Sequence, residues 1–152
     1  MKDIEKFNEI KEHAIERHIP IIMDDTLNVI EERLRARRTN RILEIGTAVG
    51  YSAICFSEFL EPNGIIDTIE RDEERIKEAK ENIKIIDNNK KINIYEGDAV
   101  EILPTINEKY DMIFIDAAKG KYPFFLEQAL RLLKKDGIIF ADNILYKGYV
   151  MS

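Results

Sequence analysis

Acidic side chains stand at or just after the end of every apolar segment that the sequence predicts to be a β-strand. In parallel sheets of α/β proteins, ligands bind beyond the carboxyl ends of the strands. Carboxylates scattered at random over a surface would not select one edge five times, so this edge is the predicted functional site. The positions concerned are Glu44–Gly50, Glu70, Asp98, Asp116 with Lys119, and Asp142 with Asn143.

The segment RILEIGTAVGYS at 41–52 predicts a buried strand, a glycine loop and the start of a helix, as in nucleotide-binding sites. Glu70 follows Gly46 by 24 positions, where a carboxylate can accept both hydroxyls of a ribose. Asp98 could accept from an adenine amino group. These features are compatible with any adenosine cofactor, NAD included, although GTAVG departs from the G-x-G-x-x-G pattern. Glu44, inside the strand, must meet a positive or hydrogen-bonding partner.

A second group of polar residues predicts a metal site. Asp116, Asp142 and Asn143 would converge at adjacent strand ends as an all-oxygen donor set, which suits Mg²⁺. Lys119 follows Asp116 by three residues, and an ammonium beside a divalent cation shifts towards its neutral, basic form. The alternatives are a turn formed by Asp142 and Asn143 and a surface position for Lys119. The convergence of all four at one edge favours the metal-assisted site.

The apolar periodicity predicts two leading helices, then strands and helices in strict alternation, which indicates an α/β fold with a mostly parallel, doubly wound sheet. Asp24 or Asp25 is expected to cap the second helix and Asp72 the helix after the second strand. The predicted helices cover residues 3–18, 24–38, 51–61, 72–86, 99–103 and 122–134. The predicted strands are Ile42–Ile45, Ile65–Glu70, Ile92–Tyr95, Tyr110–Ile115 and Ile138–Ala141.

The 152-residue length predicts a single domain over 1–152, with N-terminal helices over 1–38 and a core over 41–152. No apolar run approaches the ~20 residues of a membrane span, and the charged N-terminus is no signal peptide. One cysteine, Cys55, excludes a disulfide framework and suits the cytoplasm. The net charge of −6 argues against a protein that coats nucleic acid, although a local basic patch remains possible.

Several of these segments resemble the cation-dependent class I O-methyltransferases that use S-adenosylmethionine, the family of the catechol and caffeoyl-CoA enzymes. The matching segments are LEIGTAVGYSA at 43–53, TIERDEE at 68–74, EGDA at 96–99, IFIDAAKGKY at 113–122 and ADN at 141–143. The segments AAKGKY at 117–122 and HIPII at 18–22 are most similar to the bacterial tRNA 5-hydroxyuridine methyltransferases. Those enzymes make 5-methoxyuridine at the wobble position of the anticodon.

The resemblance implies a Rossmann-like fold and a role for each matching residue. S-adenosyl-L-methionine would be the cofactor, with Mg²⁺ or another divalent cation as the metal. Lys119 would be the general base, and Asp116 would serve both cofactor and metal. The implied cofactor-binding residues are Glu44, Gly46, Ser52, Glu70, Asp98, Ala99 and Asp116, and the implied metal ligands are Asp116, Asp142 and Asn143.

For the substrate, the resemblance favours the anticodon loop of a tRNA, with a small catechol-like or phenolic hydroxyl as the alternative. Tyr122 or Tyr146 could stack on the flipped base, or simply pack in the core. Lys121, Lys147 and the arginines at 33–41 are candidate phosphate contacts, although for the arginines the favoured interpretation is stabilisation of a helix C-terminus.

Members of the family continue with two more strands, so the resemblance implies a core that is C-terminally truncated relative to the family. An exposed sheet edge would follow, and we therefore expect a homodimer or a higher assembly. An inactive fragment that still binds the cofactor is a further alternative, and an NAD-linked oxidoreductase is a more distant one.

Overall fold

A computed structural model describes residues 4–19, 21–48, 50–85, 91–116, 121–142 and 150–151, the backbone alone being described for Asp116, Asp142 and 150–151. The elements in chain order are α1 Ile4–Glu16, α2 Asp24–Ala36, β1 Arg41–Ile45, α3 Tyr51–Ser57, β2 Ile65–Glu70, α4 Glu73–Ile85, β3 Lys91–Glu96, α5 Ala99–Ile102, a 3-10 turn Leu103–Thr105, β4 Tyr110–Asp116, α6 Tyr122–Leu132, β5 Leu133–Asp142 and β6 Val150–Met151.

The strands form one sheet in the order β3-β2-β1-β4-β5-β6. The five predicted strands are all present and all pair in parallel, which confirms the predicted fold class. The order reverses between β1 and β4, and this switch point is where open α/β sheets bind ligands. The short strand β6, which the sequence did not predict, pairs antiparallel with the end of β5.

Apolar clusters cover both faces of the sheet. Ile42 and Leu43 are consecutive residues of β1 but belong to different clusters, because successive side chains of a strand point to opposite faces of the sheet. The first cluster packs against α1, α2 and α3 and includes the buried Cys55. The second packs against α5 and α6. Burial on both faces explains why the central strands β1 and β4 are mostly apolar in the sequence.

One polar network is embedded in the sheet. Asp67 of β2 is fully buried, and its carboxylate accepts hydrogen bonds from the Tyr110 hydroxyl at 2.7 Å and the Asn93 amide at 2.9 Å. Arg41 donates to the same carboxylate at 3.4 Å and also pairs with Glu108 at 3.7 Å. Arg41 therefore has a structural role linking β1, β2 and the segment before β4.

Several predicted boundaries differ from the structure. The helix predicted over 51–61 ends at Ser57, and the first two helices end two residues before the predicted 18 and 38. Helix α2 begins at Asp24 with Met23 as its N-cap, so the predicted cap at Asp24 or Asp25 is wrong. Both aspartates lie in the first turn, where the helix dipole favours negative charge. The cap at Asp72 is confirmed, because its carboxylate accepts from the backbone N–H groups of Glu74 at 3.0 Å and Arg75 at 3.1 Å.

Strand β5 begins at Leu133, five residues before the predicted start, and α6 ends at Leu132. A bulge interrupts the register between β5 and β4: Tyr110 pairs with Leu133, whereas Met112 pairs with Ile138. The bulge includes Lys134, which is the last residue of the helix predicted over 122–134, and Lys135. No helix in the described part of the chain is long and apolar enough to cross a membrane.

Candidate functional site

A cavity of about 300 Å³ lies at the carboxyl ends of β1, β2 and β3. It is lined by four residues predicted to bind a cofactor: Gly46, Glu70, Asp98 and Ala99. The loop after β1 can turn here because Gly46 has a φ of 103°, which side chains disfavour. The sequence missed Arg71, which also lines the cavity, because no pattern distinguishes it from other surface arginines.

Glu70 anchors the glycine loop to the end of β2. One carboxylate oxygen accepts from the backbone N–H groups of Thr47 at 3.1 Å and Ala48 at 2.9 Å. The other oxygen accepts from the N–H of Asp72 at 3.1 Å. A carboxylate offers about four acceptor positions, so these three donors leave room for one more. Because Glu70 lines the cavity and is only 9% exposed, that position is available to a hydrogen-bond donor inside the cavity.

Asp98 also has a structural role, which no pattern in the sequence indicated. Its Oδ1 accepts from the backbone N–H of Val100 at 2.9 Å and so caps the four-residue helix α5. Its Oδ2 lies 3.6 Å from a guanidinium nitrogen of Arg71. The cap holds the aspartate and Ala99 at the cavity wall, where the sequence had predicted contact with a base.

Glu44 lies behind the glycine loop and is fully buried. The hydroxyl of Ser52 donates to one carboxylate oxygen, and the hydroxyl of Thr68 donates to the other at 2.7 Å. Burial raises the pKa of Glu44 from 4.5 to about 7, these two hydrogen bonds lower it in part, and the charge of Glu70 raises it further. Neither Glu44 nor Ser52 lines the cavity to which Gly46, Glu70, Asp98 and Ala99 belong.

A chain of hydroxyls connects the glycine loop with this buried carboxyl group. The hydroxyl oxygens of Thr47 and Thr68 are 2.6 Å apart, and Thr68 in turn donates to Glu44. Thr68 faces Glu44 because the two residues are register partners in the parallel pair of β1 and β2. Only the strand register brings them together, so the sequence offered no signal for Thr68.

The glycine loop closes onto helix α3 at Gly50. Its φ of 87° is in the left-handed region, and its N–H donates to the carbonyl of Thr47 at 3.0 Å. A Cβ at this position would lie 3.5 Å from Ala79 of α4, which is ordinary contact. The glycine is therefore required by its backbone conformation rather than by lack of space.

The predicted metal site is described only in part. Asp116 and Asp142 are register partners at the ends of the adjacent strands β4 and β5, as the sequence predicted. Because adjacent strands lie about 4.8 Å apart, the backbones of these two aspartates are neighbours at the carboxyl ends of β4 and β5. Asn143 and the predicted base Lys119 lie outside the described residues. Among the side chains that are described, no cluster of acidic, histidine or cysteine residues could hold a metal.

Helix α6 and its N-cap position each contribute one further residue to the cavity wall. Lys121 and Phe125 both line the cavity, and neither was predicted to bind a cofactor. The apolar period marked Phe125 only as an inward-facing residue. Tyr122, a candidate for base stacking, packs against the apolar cluster on the same face of the sheet. The second candidate, Tyr146, and the predicted phosphate contact Lys147 lie outside the described residues.

Comparison with known proteins gives consistent matches. The profile of a family described as O-methyltransferase matches residues 3–152. A catechol O-methyltransferase from Niastella koreensis is 37% identical over 119 residues, which cover 76% of this chain and 54% of that protein. The O-methyltransferase ankF from Aspergillus thermomutatus is 38% identical over 75% of this chain and 49% of its own length. The chain thus spans about half the length of these curated relatives.

Solved structures show the same similarity. The O-methyltransferase from Bacillus cereus in complex with SAH has a TM-score of 0.83 and 28% identity, covering 96% of this chain and 69% of that one. The O-methyltransferase TomG from Streptomyces achromogenes, involved in tomaymycin synthesis and solved in complex with SAM, has a TM-score of 0.81 and 28% identity. That match covers 93% of this chain and 66% of TomG.

Proposed function

Because this chain belongs to the O-methyltransferase family, we propose that it transfers a methyl group from S-adenosylmethionine to a hydroxyl oxygen. The observation that supports this proposal most directly is the cavity beyond β1, β2 and β3, which is lined by Glu70 and Asp98. Two carboxylates at the ends of neighbouring strands suit the ribose hydroxyls and the base amino group of an adenosine. When bound, the cofactor supplies a methyl group on a positively charged sulfur.

The described residues divide the work of holding the cofactor. Glu70 accepts from the ribose through its remaining acceptor position, and the glycine loop stays in place because the same carboxylate holds its N–H groups. Glu44 and Ser52 are proposed ligands of the methionine portion. In the structure the Ser52 hydroxyl donates a hydrogen bond to the Glu44 carboxylate. Contact with the cofactor would therefore require this hydrogen bond to be replaced by hydrogen bonds to the cofactor. An ammonium group there would favour the ionised form of Glu44.

We propose that Asp116, Asp142 and Asn143 hold a divalent cation and that Lys119 takes the proton of the substrate hydroxyl. The register pairing of Asp116 with Asp142 supports the placement of two of these ligands. The oxygen-only donor set is that of Mg²⁺ sites. A bound cation lowers the pKa of a neighbouring hydroxyl. Held there, the hydroxyl oxygen would attack the methyl carbon in line with its bond to sulfur, and that bond would break to leave S-adenosylhomocysteine, so orientation would contribute much of the rate.

For the substrate, we propose 5-hydroxyuridine in the anticodon loop of a tRNA, methylated to 5-methoxyuridine. The supporting features are the segments at 18–22 and 117–122 that are similar to the bacterial enzymes with this activity. A small catechol is the second candidate, because the relative from Niastella koreensis is a catechol O-methyltransferase. Both substrates present a hydroxyl on an unsaturated ring, so the same residues would serve either reaction.

Methyl-transfer assays on three substrates decide between these candidates. Labelled S-adenosylmethionine and Mg²⁺ are supplied with tRNA containing 5-hydroxyuridine, the same tRNA unmodified, or catechol. We expect label only in the hydroxyuridine tRNA, with loss of transfer on chelation of the metal and a loss of about 100-fold or more in Lys119→Ala. Transfer to catechol alone would contradict the tRNA substrate. No transfer with intact cofactor binding would identify the inactive-fragment alternative.

Cofactor binding is tested separately with a matched pair of variants. Glu70→Gln removes the charge that faces the cavity, and Glu96→Gln removes a carboxylate from the end of the adjacent strand, outside the cavity. Calorimetric titration should show S-adenosylmethionine binding about 10- to 100-fold more weakly to Glu70→Gln, the value of one or two charged hydrogen bonds. Glu96→Gln should bind as the wild type does. Equal affinities for both variants would contradict the assignment of Glu70.

A further inference from the structure

We call the cavity beyond the carboxyl ends of β1, β2 and β3 the cofactor cavity. A second cavity, of about 340 Å³, lies at the opposite, amino-terminal end of the strands, between the end of α2 and the first residues of β4 and β5. We name it the basic cavity. Its lining includes five cationic side chains and two carboxylates, a net formal charge of three positive in a chain whose overall charge is −6. The cations are Arg33, Arg37, Arg38, Lys134 and Lys135.

The carboxylates of the basic cavity leave much of this charge unbalanced. Asp111 already accepts from the backbone N–H groups of Asn40 at 2.8 Å and Arg41 at 2.9 Å, and it pairs with Lys134 at 3.2 Å. Its function is thereby to join the start of β1 to β4. Asp136 offers its backbone carbonyl to Arg33 at 3.2 Å, while its side chain is exposed.

Two cations of the cavity have no such commitment. The side chains of Arg37 and Lys135 are exposed, and among the described residues neither forms an ion pair or a side-chain hydrogen bond. Arg38 has only a loose contact with Glu61, at 3.5 Å, and is itself 88% exposed. Exposed pairs of this kind contribute little, so Arg38 remains available to an anion as well.

Stabilisation of a helix C-terminus does not account for this cluster. Arg35, in the last turn of α2, lies over the ring of Phe59 at 5.1 Å and is not part of the cavity. Arg37 follows the helix in an extended conformation. Lys135 comes from the bulge of β5, a different element. Cations from a helix end, a connecting segment and a strand bulge thus meet around one cavity.

We propose that the basic cavity binds phosphate groups of an RNA backbone. Guanidinium and ammonium groups are the usual phosphate ligands, the former through paired hydrogen bonds. The two cavities lie at opposite ends of the strands, and a strand of six residues is about 20 Å long. Along one strand of a helical RNA, roughly six consecutive phosphates would span that distance. The inference rests on the proposed tRNA substrate, since one RNA arm would contact both edges of the sheet.

The test compares two double variants that each remove two positive charges. Arg37→Gln with Lys135→Gln alters the basic cavity, whereas Lys77→Gln with Lys84→Gln alters exposed positions on α4 outside it. Binding of a fluorescently labelled anticodon-arm RNA is followed by anisotropy over a range of salt concentrations. We expect the cavity variant to bind at least about 10-fold more weakly, with a log–log salt slope shallower by about 1.5 to 2. The α4 variant should match the wild type.

Three outcomes would overturn the inference. Equal weakening in both double variants would indicate a general charge effect, and no weakening in the cavity variant would exclude contact. Displacement of the RNA by millimolar inorganic phosphate at constant ionic strength would indicate a site for a free anion. The assay needs no methyl transfer, so its result is separable from the proposed function. RNA binding without transfer contradicts only the activity, and transfer with unaltered binding by the cavity variant contradicts only this site.

Discussion

At the scale of single residues, the Glu44 carboxyl group is the most unusual feature of the molecule. It lies in the central strand β1 without exposed surface, and among the described residues two hydroxyl groups, those of Ser52 and Thr68, donate hydrogen bonds to it. Removing a charged group from water costs more than two neutral hydrogen bonds return. The protein therefore keeps a carboxyl group that is half protonated near neutral pH.

This burial makes stability depend on pH. The pKa of Glu44 rises from 4.5 to about 7 on folding, so the folded state retains a proton that the unfolded chain loses. The contribution of this group is fully present below pH 4.5 and is lost as the pH rises through 7. We expect the unfolding free energy of the wild type to fall by about 3 kcal/mol relative to Glu44→Gln across this window.

Urea unfolding of the wild type and Glu44→Gln at several pH values measures this difference. Glutamine resembles the protonated carboxyl group in shape and lacks its titration, so the comparison isolates the pH-dependent part. Parallel pH profiles of the two proteins would contradict the raised pKa.

At the scale of secondary-structure elements, short polar contacts determine where the elements begin. Asp72 caps α4, Asp98 caps α5, and Glu70 holds the glycine loop between β1 and α3. Glu70 is the last residue of β2, and Asp72 and Asp98 follow the ends of β2 and β3 by two residues. Of the three, Glu70 and Asp98 line the cavity beyond these strands, so these two carboxylates both shape the loops and supply polar groups of the site.

The cap of α4 can be tested alone. Asp72→Ala removes the acceptor for two N–H groups, and we expect a loss of about 1 kcal/mol in unfolding free energy. Asp72→Asn retains an acceptor oxygen and should recover most of that loss. Chemical denaturation of the three proteins makes the comparison. Equal losses in both variants would point to the charge rather than the cap.

At the scale of the whole molecule, one sheet separates two cavities of different charge. At the carboxyl ends of the strands, acidic residues line the proposed cofactor cavity, and the opposite end of the sheet carries the basic cavity. Because a ligand that binds only the folded state stabilises it, occupancy of either cavity should raise the stability of the folded domain. The predicted assembly into dimers and the predicted cytoplasmic location both stay predictions.

Thermal unfolding tests that coupling for the cofactor. At a concentration 100 times its Kd, a ligand that binds only the folded state adds about 2.7 kcal/mol. For a chain of this size, each kcal/mol raises Tm by about 2 to 4 °C, so S-adenosylmethionine should raise it by about 5 to 10 °C. NAD should leave Tm unchanged. A shift with NAD instead would favour the oxidoreductase alternative and contradict the methyl-transfer proposal.

The sequence alone predicted the α/β class, the five parallel strands and the edge where the acidic residues gather. These follow from local patterns, since apolar runs, glycine loops and caps depend on near neighbours in the chain. It also predicted that Gly46, Glu70, Asp98 and Ala99 belong to one site, and they line one cavity. The metal ligands and the base Lys119 were predicted in the same way and stay predictions.

Only the tertiary structure decided the contacts that depend on register and on distant elements. Thr68 meets Glu44 because β1 and β2 pair in one particular register, and no local pattern encodes that register. Lys135 joins Arg37 at the basic cavity because β5 begins early and bulges against β4. In the sequence, Lys135 directly follows the helix predicted over 122–134. Pairing between strands overrode that local preference, because the ladder and the buried faces stabilise the strand more than propensity stabilises one more helical turn.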